Sequence, residues 1–531
     1  MFNALRTRIA RWIGGASSGA RMYSGGRTNR LNFGFGNLTS SADSELKTSL
    51  SALRNRSRQL VRDAAYAGRA HKIVVDNVIG AGIGMQAQVM NVREKPKHQV
   101  NSAIEKAWRD WSEGENCHTG GVLHFSDLER AAMGQIFDAG EVFIREHPEK
   151  FGRSAVPLAL ELIEAERIAD DVGPLGPMAE GHQFRMGIEV DRFFRPVAVY
   201  VRQRHRGDTT LGMPLREPDL IERVPASQIW HLKITDRWPQ VRGEPWMHAV
   251  INKLNDMDEY SAAELVAARA SANYFATVQS NDDNPLTAQD QSDGSRQMEL
   301  EPGMLYHMPA GEHLDFHAPN RPNSALSEFM RHLLREVATG VGVPYASLSA
   351  DYSQTNYSSS RLALIDERDH WRTLQQWWIR SFRQPLHRRW IMAAVMARAI
   401  PGVTVQEFVA DPERFQQVSF KPRGWSWVDP TKEVNAYKEA ILAGFTTVTD
   451  VIAATGGGQD LEDVLKTRKR ELEMLEEAGI EVDTTFAVEV PPQPAPPPAE
   501  NDPPEDQADQ EDDPENMTED PPARVFAFGR P

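Results

Sequence analysis

Only one cysteine, Cys117, occurs in 531 residues. That excludes an internal disulfide framework and any multi-cysteine zinc site, and a reducing folding compartment is expected. No run of about 18 apolar residues is present, so no membrane-spanning helix is expected. The dipeptide Gly-Lys is absent, and with it any Walker A phosphate loop. Histidines never take His-Glu-x-x-His spacing. Cations are outnumbered: 59 Lys and Arg against 75 Asp and Glu give a net charge of −16. An acidic balance argues against wrapping duplex DNA by neutralising phosphates, but not against a protein that DNA must pass without sticking. What remains is ordinary globular material, 40% hydrophobic and 25% charged. At about 150 residues per domain it is enough for roughly three to four domains.

The charge is concentrated at the ends. Residues 1–42 hold six Arg (Arg6, Arg8, Arg11, Arg21, Arg27, Arg30) and no acid. In this basic N-terminal arm, Leu5, Ile9, Trp12 and Ile13 share one face of a short amphipathic helix. A targeting or membrane-surface helix is one reading. The preferred one is a flexible arm that docks on a neighbour or is trimmed. Residues 489–531 hold twelve acids, two Arg and, from Pro491 onward, twelve of the 34 prolines. Proline and acid build no core, so an acidic, disordered tail is expected. It ends in the apolar tip Val525-Phe526-Ala527-Phe528.

Between the ends the sequence reads as α+β. Helix is expected over 43–79, with Asp43 as cap and Leu46, Leu50, Leu53, Leu60 and Val61 near helical spacing, and again over 99–112 and 126–140. Short β-rich segments separated by Gly and Pro fill 141–245. Helix returns over 246–276, where Asp256, Asp258, Glu259 and Glu264 make it strongly acidic. Gly and Pro break 277–323, which carries strand candidates at Met304–His307 and Leu314–His317. Over 324–340 the pattern is amphipathic: Leu326, Phe329, Met330, Leu333, Leu334 and Val337 fall on one stripe, with Ser324 as cap and Glu328 in the first turn. Burying those six contributes at most roughly 10 kcal/mol, at about 1.5–3 kcal/mol each. A polar segment follows from Tyr345 to Ser360, then a long helix to about Ile400 that Pro385 should kink. Residues 402–430 read as irregular and β-like. Helices are expected at 431–443, 446–455 and 460–478.

No catalytic, metal or cofactor constellation emerges. GASSG at 15–19 fits Gly-x-Ser-x-Gly but lacks the strand and helix of a nucleophile elbow. GAGIG at 80–84 follows a helix rather than opening one, so it reads as a packing turn. A hydrolase or nucleotide-dependent enzyme built on these two segments is the alternative reading. Asp366, Asp369 and His370 share a helix face, but Glu367, Arg368 and Arg372 beside them make a solvated ion-pair face. His118, His124, His307, His313 and His317 read as loop or interface residues.

A helix, a β-bearing insertion and a returning helix make an extended pair with a small tip, an arrangement sensible for a ring subunit. Here the chain resembles the lambda-type portal proteins of tailed bacteriophages. The resemblance rests on SLSALRNRSRQLVRDAAYAGRAHKIVVDNVIGAGI at 49–83, QVRGEPWMHAVINKLNDMDEYSAAELVAARASA at 240–272 and VGVPYASLSADYSQTNYSSSR at 341–361. The DERDHWR segment and the acidic Pro-rich tail also fit, and the similarity runs from about residue 20 to about residue 480.

The resemblance implies a structural protein without cofactors, in a closed, usually dodecameric ring, assembled in the host cytoplasm and seated at the portal vertex of the virion capsid. Duplex DNA would enter and leave through it. Its implied partners are the terminase large subunit, the major capsid protein and the head-tail connector or completion protein. An α/β wing would comprise 43–245 with 401–430. The stem helices would be 246–276 and 324–342, with the clip at 277–323 between them. Residues 343–400 would hold the tunnel loop and long kinked helix, 431–488 a helical crown and 489–531 the tail. Asp256, Asp258, Glu259 and Glu264 would line the channel, and Leu326, Phe329, Met330, Leu333, Leu334 and Val337 would pack the stem. Tyr345, Ser347, Ser349, Tyr352, Ser353, Gln354, Thr355, Asn356 and Tyr357 would form the tunnel loop.

Overall fold

The computed structural model describes residues 39–91, 96–211, 220–272, 276–280, 289–290, 296–297, 312–316, 325–353, 357–425, 430–455 and 461–477. They fall in two units, 1–466 and 467–531. Residues 1–38 of the arm, with the GASSG segment, and Ser324, the strand candidate Met304–His307 and the acidic tail lie outside the described residues.

The expected helix over 43–79 is two helices, α1 (Ala42–Asp63) and α2 (Ala65–Val78), parted by extended backbone at Ala64. Ser41 caps α1 by accepting the Ser44 amide at 3.2 Å. Asp43, the expected cap, is buried inside the first turn, where it accepts from the Val241 amide at 2.7 Å and Arg185 at 2.6 Å. The buried stripe of α1 runs Leu46, Leu50, Arg54, Ser57, Leu60, so an arginine occupies a core position. After β1 (Gly84–Ala87) come α3 (His98–Ser112) and α4 (Phe125–Ala139). Gly140 ends α4 at φ +85°, where a Cβ would stand 2.2 Å from the Glu244 carbonyl carbon, a place only glycine can occupy.

Strand β2 (Glu141–His147) lies between β3 (Ala159–Ile163) and β8 (Ile229–Lys233) in an antiparallel sheet. A second sheet is the antiparallel meander β4 (Gln183–Arg185), β5 (Ile188–Val190), β6 (Pro196–Arg202) and β7 (Ile221–Pro225). Side chains alternate across a strand, and β2 uses both faces. Val142 and Ile144 join the helical core, while Phe143 joins Ile163, Ile188, Val199 and Val224 in a core shared by the sheets.

Burial of charge follows pairing. Glu141 is fully buried, which alone would push its carboxyl pKa up. Arg242, Arg54 and His231 outweigh burial and hold it well below the usual carboxylate range. Arg242 Nε donates to it at 2.6 Å, His231 at 2.7 Å and the Gly243 amide at 2.8 Å, and Arg54 adds an ion pair. A fully satisfied network of this kind rigidifies a core; removing one partner from it is costly.

The long helix is α8 (Tyr357–Trp378), a π-helical turn at Ile379–Arg383, then α9 (Gln384–Met396). Pro385 has no N–H to give, and the expected kink takes the form of a register change, with the Gln384 N–H donating to the Ile379 carbonyl. Trp378 is buried and Trp377 half-buried, as a helix packed on more than one side requires. Strand β13 (Val418–Lys421) pairs antiparallel with β1, bringing the segment after the long helix beside residues 84–87.

His387 on α9 is buried among Trp108, Trp390 and Phe420. Neither ring nitrogen finds a hydrogen-bond partner among the described residues. Burial, with Arg383 and Arg388 nearby, lowers its pKa to about 3. An unfolded histidine protonates near pH 6.5. The neutral ring therefore contributes stability that is complete above pH 6.5 and is lost as pH falls toward 3, by about 1.4 kcal/mol per pH unit. His387→Phe is expected to flatten this acid loss, read as thermal midpoints between pH 7 and pH 4. An unchanged pH profile would refute it.

Candidate channel hairpin and loop

From Val250 the chain leaves the body as α5 (Ile251–Ala272) and returns as α6 (Leu326–Val341). Three contacts fix their relation. Val250 lies against Gly340, where a Cβ would meet Val250 Cγ1 at 2.3 Å. Lys253 pairs with Glu336, and the rings of Tyr260 and Phe329 meet edge to face at 5.4 Å. Each step outward on α5 matches a step back along α6, so the helices are antiparallel. The pairing continues beyond them: β9 (Ala276–Ser280) runs antiparallel to β12 (Glu312–Phe316), and β10 (Gln289–Asp290) to β11 (Arg296–Gln297). The described parts of 250–341 thus nest as one hairpin, helical at the base and β-bearing further out.

Burial follows a gradient along it. At the base Ile251, Leu254 and Met257 are buried, with Leu334, Val337, Ala338 and Val341 opposite them. Outward the cover ends: Leu265 is 52% exposed, Val266 63% and Phe329 47%. Of the six residues of the amphipathic stripe, only Leu334 and Val337 are buried within the subunit. Met330 and Leu333 pack partly on the core, and Leu326 is half-buried.

The four acids of α5 do not share a face. At about 100° per residue, Asp256 and Glu259 lie together behind the buried stripe of Ile251, Leu254 and Met257, while Asp258 borders that stripe. All three are exposed, whereas Glu264 is half-buried.

Over its described residues 345–353, the polar segment 345–360 is more ordered than a loop reading implies. Tyr345–Ser349 is a short helix, α7, anchored by buried Leu348. Ser349 Oγ donates to the Tyr345 carbonyl at 2.7 Å, Ser347 Oγ to Glu367 at 3.0 Å and Tyr345 Oη to Asp351 at 3.2 Å. The Ser353 hydroxyl and amide hold the Asp351 carboxyl below the usual range. Tyr345, Ser347 and Ser349 are therefore committed inside the chain. Tyr352 and Ser353 are exposed, Gln354, Thr355 and Asn356 lie outside the described residues, and Tyr357 opens α8.

The remaining motifs settle as packing. In GAGIG the Gly80 and Gly82 amides donate to the Val75 and Ile79 carbonyls. The Gly80 carbonyl accepts from Arg130 at 2.6 Å, and that of Ile83 from Arg383 at 2.7 Å. These two amides are spoken for, so the turn is no phosphate cradle. Arg383 also clamps buried Glu129 through two bonds of 2.7 and 2.6 Å, an anchor the helix periodicity did not reveal. Asp369 pairs with Arg372 at 2.6 Å on an exposed face. His124 caps α4, and His118 accepts from the Val122 and Leu123 amides; His307 and His317 lie outside the described residues. Burial pushes the Cys117 thiol up to about 12, too high for a nucleophile. Among the described residues no group of three potential metal ligands occurs, and no helix is long and apolar enough to cross a membrane.

A sequence profile of phage portal proteins of the lambda family matches residues 28–375. The chain belongs to that family. The probable portal protein of Halomonas phage phiHAP-1 is 26% identical over 474 residues, covering 87% of this chain and 88% of its own. Portal protein B of Escherichia phage lambda is 20% identical over 472 residues, covering 83% and 87%. Among solved structures, the neck of a native gene transfer agent particle aligns at a TM-score of 0.39 and 14% identity, over 75% of this chain and 93% of that one. A HK97-family phage portal protein from Corynebacterium diphtheriae gives 0.28 and 10%, over 58% and 83%. Both scores are below 0.5, so the assignment rests on sequence. Portal function follows from membership, and the family is structural rather than enzymatic; the enzyme built on GASSG or GAGIG finds no support.

Proposed function

We propose that copies of this chain close into a ring, a dodecamer, through which duplex DNA enters and leaves the capsid. One observation carries this reading: the hairpin 250–341 leaves Leu265, Val266 and Phe329 uncovered where its own subunit ends. Apolar side chains repeated along both helices of a projecting pair need a neighbour to bury them, and a subunit flanked on both sides by copies of itself supplies one without leaving open ends. In this reading α5 and α6 are the stem, 277–323 the clip, 43–245 with 401–430 the wing, and 431–488 the crown. The tunnel loop contracts to 350–356, since the residues before it are tied down in α7.

The terminase large subunit would dock on the ring first and the head-tail connector afterwards, with the major capsid protein around it. Assembly would take place in the host cytoplasm. The test is mass. A particle near 700 kDa, about twelve copies of 59.5 kDa, is expected from sedimentation or native mass spectrometry. A stable species of one subunit mass would overturn the proposal.

A further inference from the structure

Two large aromatic side chains stand out into solvent near the start of α1. Trp238 is 70% exposed, and Phe193, on the turn between β5 and β6, is 56% exposed. Trp238 forms one wall of a shallow apolar pit with Ile188, Val190, Phe194, Pro196 and Pro239. The polar groups at its edge are already engaged. Lys233 Nζ donates to the Gln240 carbonyl at 2.6 Å and to Thr235 Oγ1 at 3.0 Å, and His231 is tied to Glu141. The rim is cationic. The guanidinium carbon of Arg185 stands 4.6 Å from the centre of the Phe194 ring, and those of Arg192 and Arg195 stand 4.6 and 5.8 Å from that of Phe193. A surface of this make-up suits an uncharged segment bearing aromatic rings, whose faces attract cations.

The chain supplies such a segment next to the pit. Its first described residues pass along the rim: the Ser40 carbonyl accepts from Arg237 at 2.6 Å, and Asp43 accepts from the Val241 amide at 2.7 Å and from Arg185 at 2.6 Å. Trp238 follows Arg237 in sequence, and Val241 itself lines the pit. Immediately before these residues stands LNFGFGNL at 31–38, and residues 31–42 contain no charged side chain. We infer that this stretch docks on the pit of its own subunit. Phe35 is seated against Trp238 and Phe194, with Phe33, on the same side of an extended chain, beside it. Reach decides the source. Phe35 stands five residues before Ser40, a span of at most about 18 Å, and stretch and pit belong to one unit of the chain. The arginines of the arm begin at Arg30, ahead of the docked stretch, so the contact pins the arm at its root and keeps its charge out of the cationic rim. It needs no second subunit and stands apart from the ring reading.

Limited chymotrypsin digestion of the full chain tests it, with mass spectrometry following the bond after Phe35 against the bond after Tyr23 as internal standard. Trp238→Ala should raise the relative cleavage rate at Phe35 about tenfold, since a docked site is cut only from its open fraction. Trp238→Phe, which keeps a ring in the wall, should stay near wild type. Trp238 is mostly exposed, so the thermal midpoint of both variants is expected to hold. Phe35→p-benzoylphenylalanine reads the contact without altering the pit. Irradiation is expected to join residue 35 to 188–196 or 238–241, with no covalent dimer on denaturing gels. An unchanged cleavage ratio in Trp238→Ala, full loss of protection in Trp238→Phe, or cross-links only to other segments each overturn the inference and leave the ring untouched. Covalent dimers joined through the same pit would give it to a neighbour's arm and overturn the contact within one subunit.

Discussion

Val266→Asp combined with Phe329→Asp is expected to leave the subunit folded and abolish the ring. Both side chains are largely exposed in the single chain, so a carboxylate at either position stays hydrated in the free subunit. The main local loss is the Phe329 contact with Tyr260, about 0.5–1.5 kcal/mol. In the ring both positions would be covered, and burying even a neutral polar group without a partner costs roughly 2–7 kcal/mol, an ionised carboxylate more. A closed ring repeats that cost at every interface. Sedimentation should show one subunit mass, with circular dichroism and thermal midpoint close to wild type. Normal rings from the double variant would remove α5 and α6 from the interface. Leu333→Asp with Leu334→Asp would not separate the two effects, because Leu334 is only 4% exposed within its own subunit and the variant would damage the fold itself.

The hairpin was legible because three signals agree there: an amphipathic stripe over 324–340, Gly and Pro breakers before it, and strand candidates within the insertion. The meander and three-stranded sheet were visible as a texture but not as a topology, since strand order comes from contacts between segments distant in sequence. Glu141 and Glu129 were invisible for a related reason. A buried carboxylate reads as a surface residue until its arginines, 87 and 254 positions away, are known to converge on it. Tyr345–Ser349 read as loop because Ser, Tyr and Pro composition outweighs a five-residue helix held by the burial of Leu348 and the Ser347 bond to Glu367, neither visible in local propensity. The acids of α5 were counted correctly, but Asp258 is two residues from Asp256 and one from Glu259, spacings that turn it away from the face those two share, so composition alone could not make all four a face.

That arrangement shapes the second prediction. Asp256 and Glu259 cover the back of α5 and Asp258 one edge of its buried stripe, so the three together test its exposed surface, while half-buried Glu264 is left out. Asp256→Lys, Asp258→Lys and Glu259→Lys together should convert a surface that repels phosphate into one that holds it. All three positions are exposed, so the fold is expected to tolerate the change. Wild-type rings should retain no linear duplex at 50 mM salt. The triple variant should retain it, with log affinity falling by about 0.9 per phosphate contacted for each decade of salt. If roughly 6–10 phosphates are engaged, binding drops about 10³–10⁵-fold between 50 and 200 mM. A covalently closed circle cannot thread a ring and should be retained far less than the linear duplex, which separates DNA in the channel from DNA on the outer surface. In packaging assays the same variant should yield fewer filled heads, because each lysine–phosphate contact must be broken for the duplex to advance. Equal retention of circle and linear duplex, or no retention of either, would take these three acids out of the channel wall.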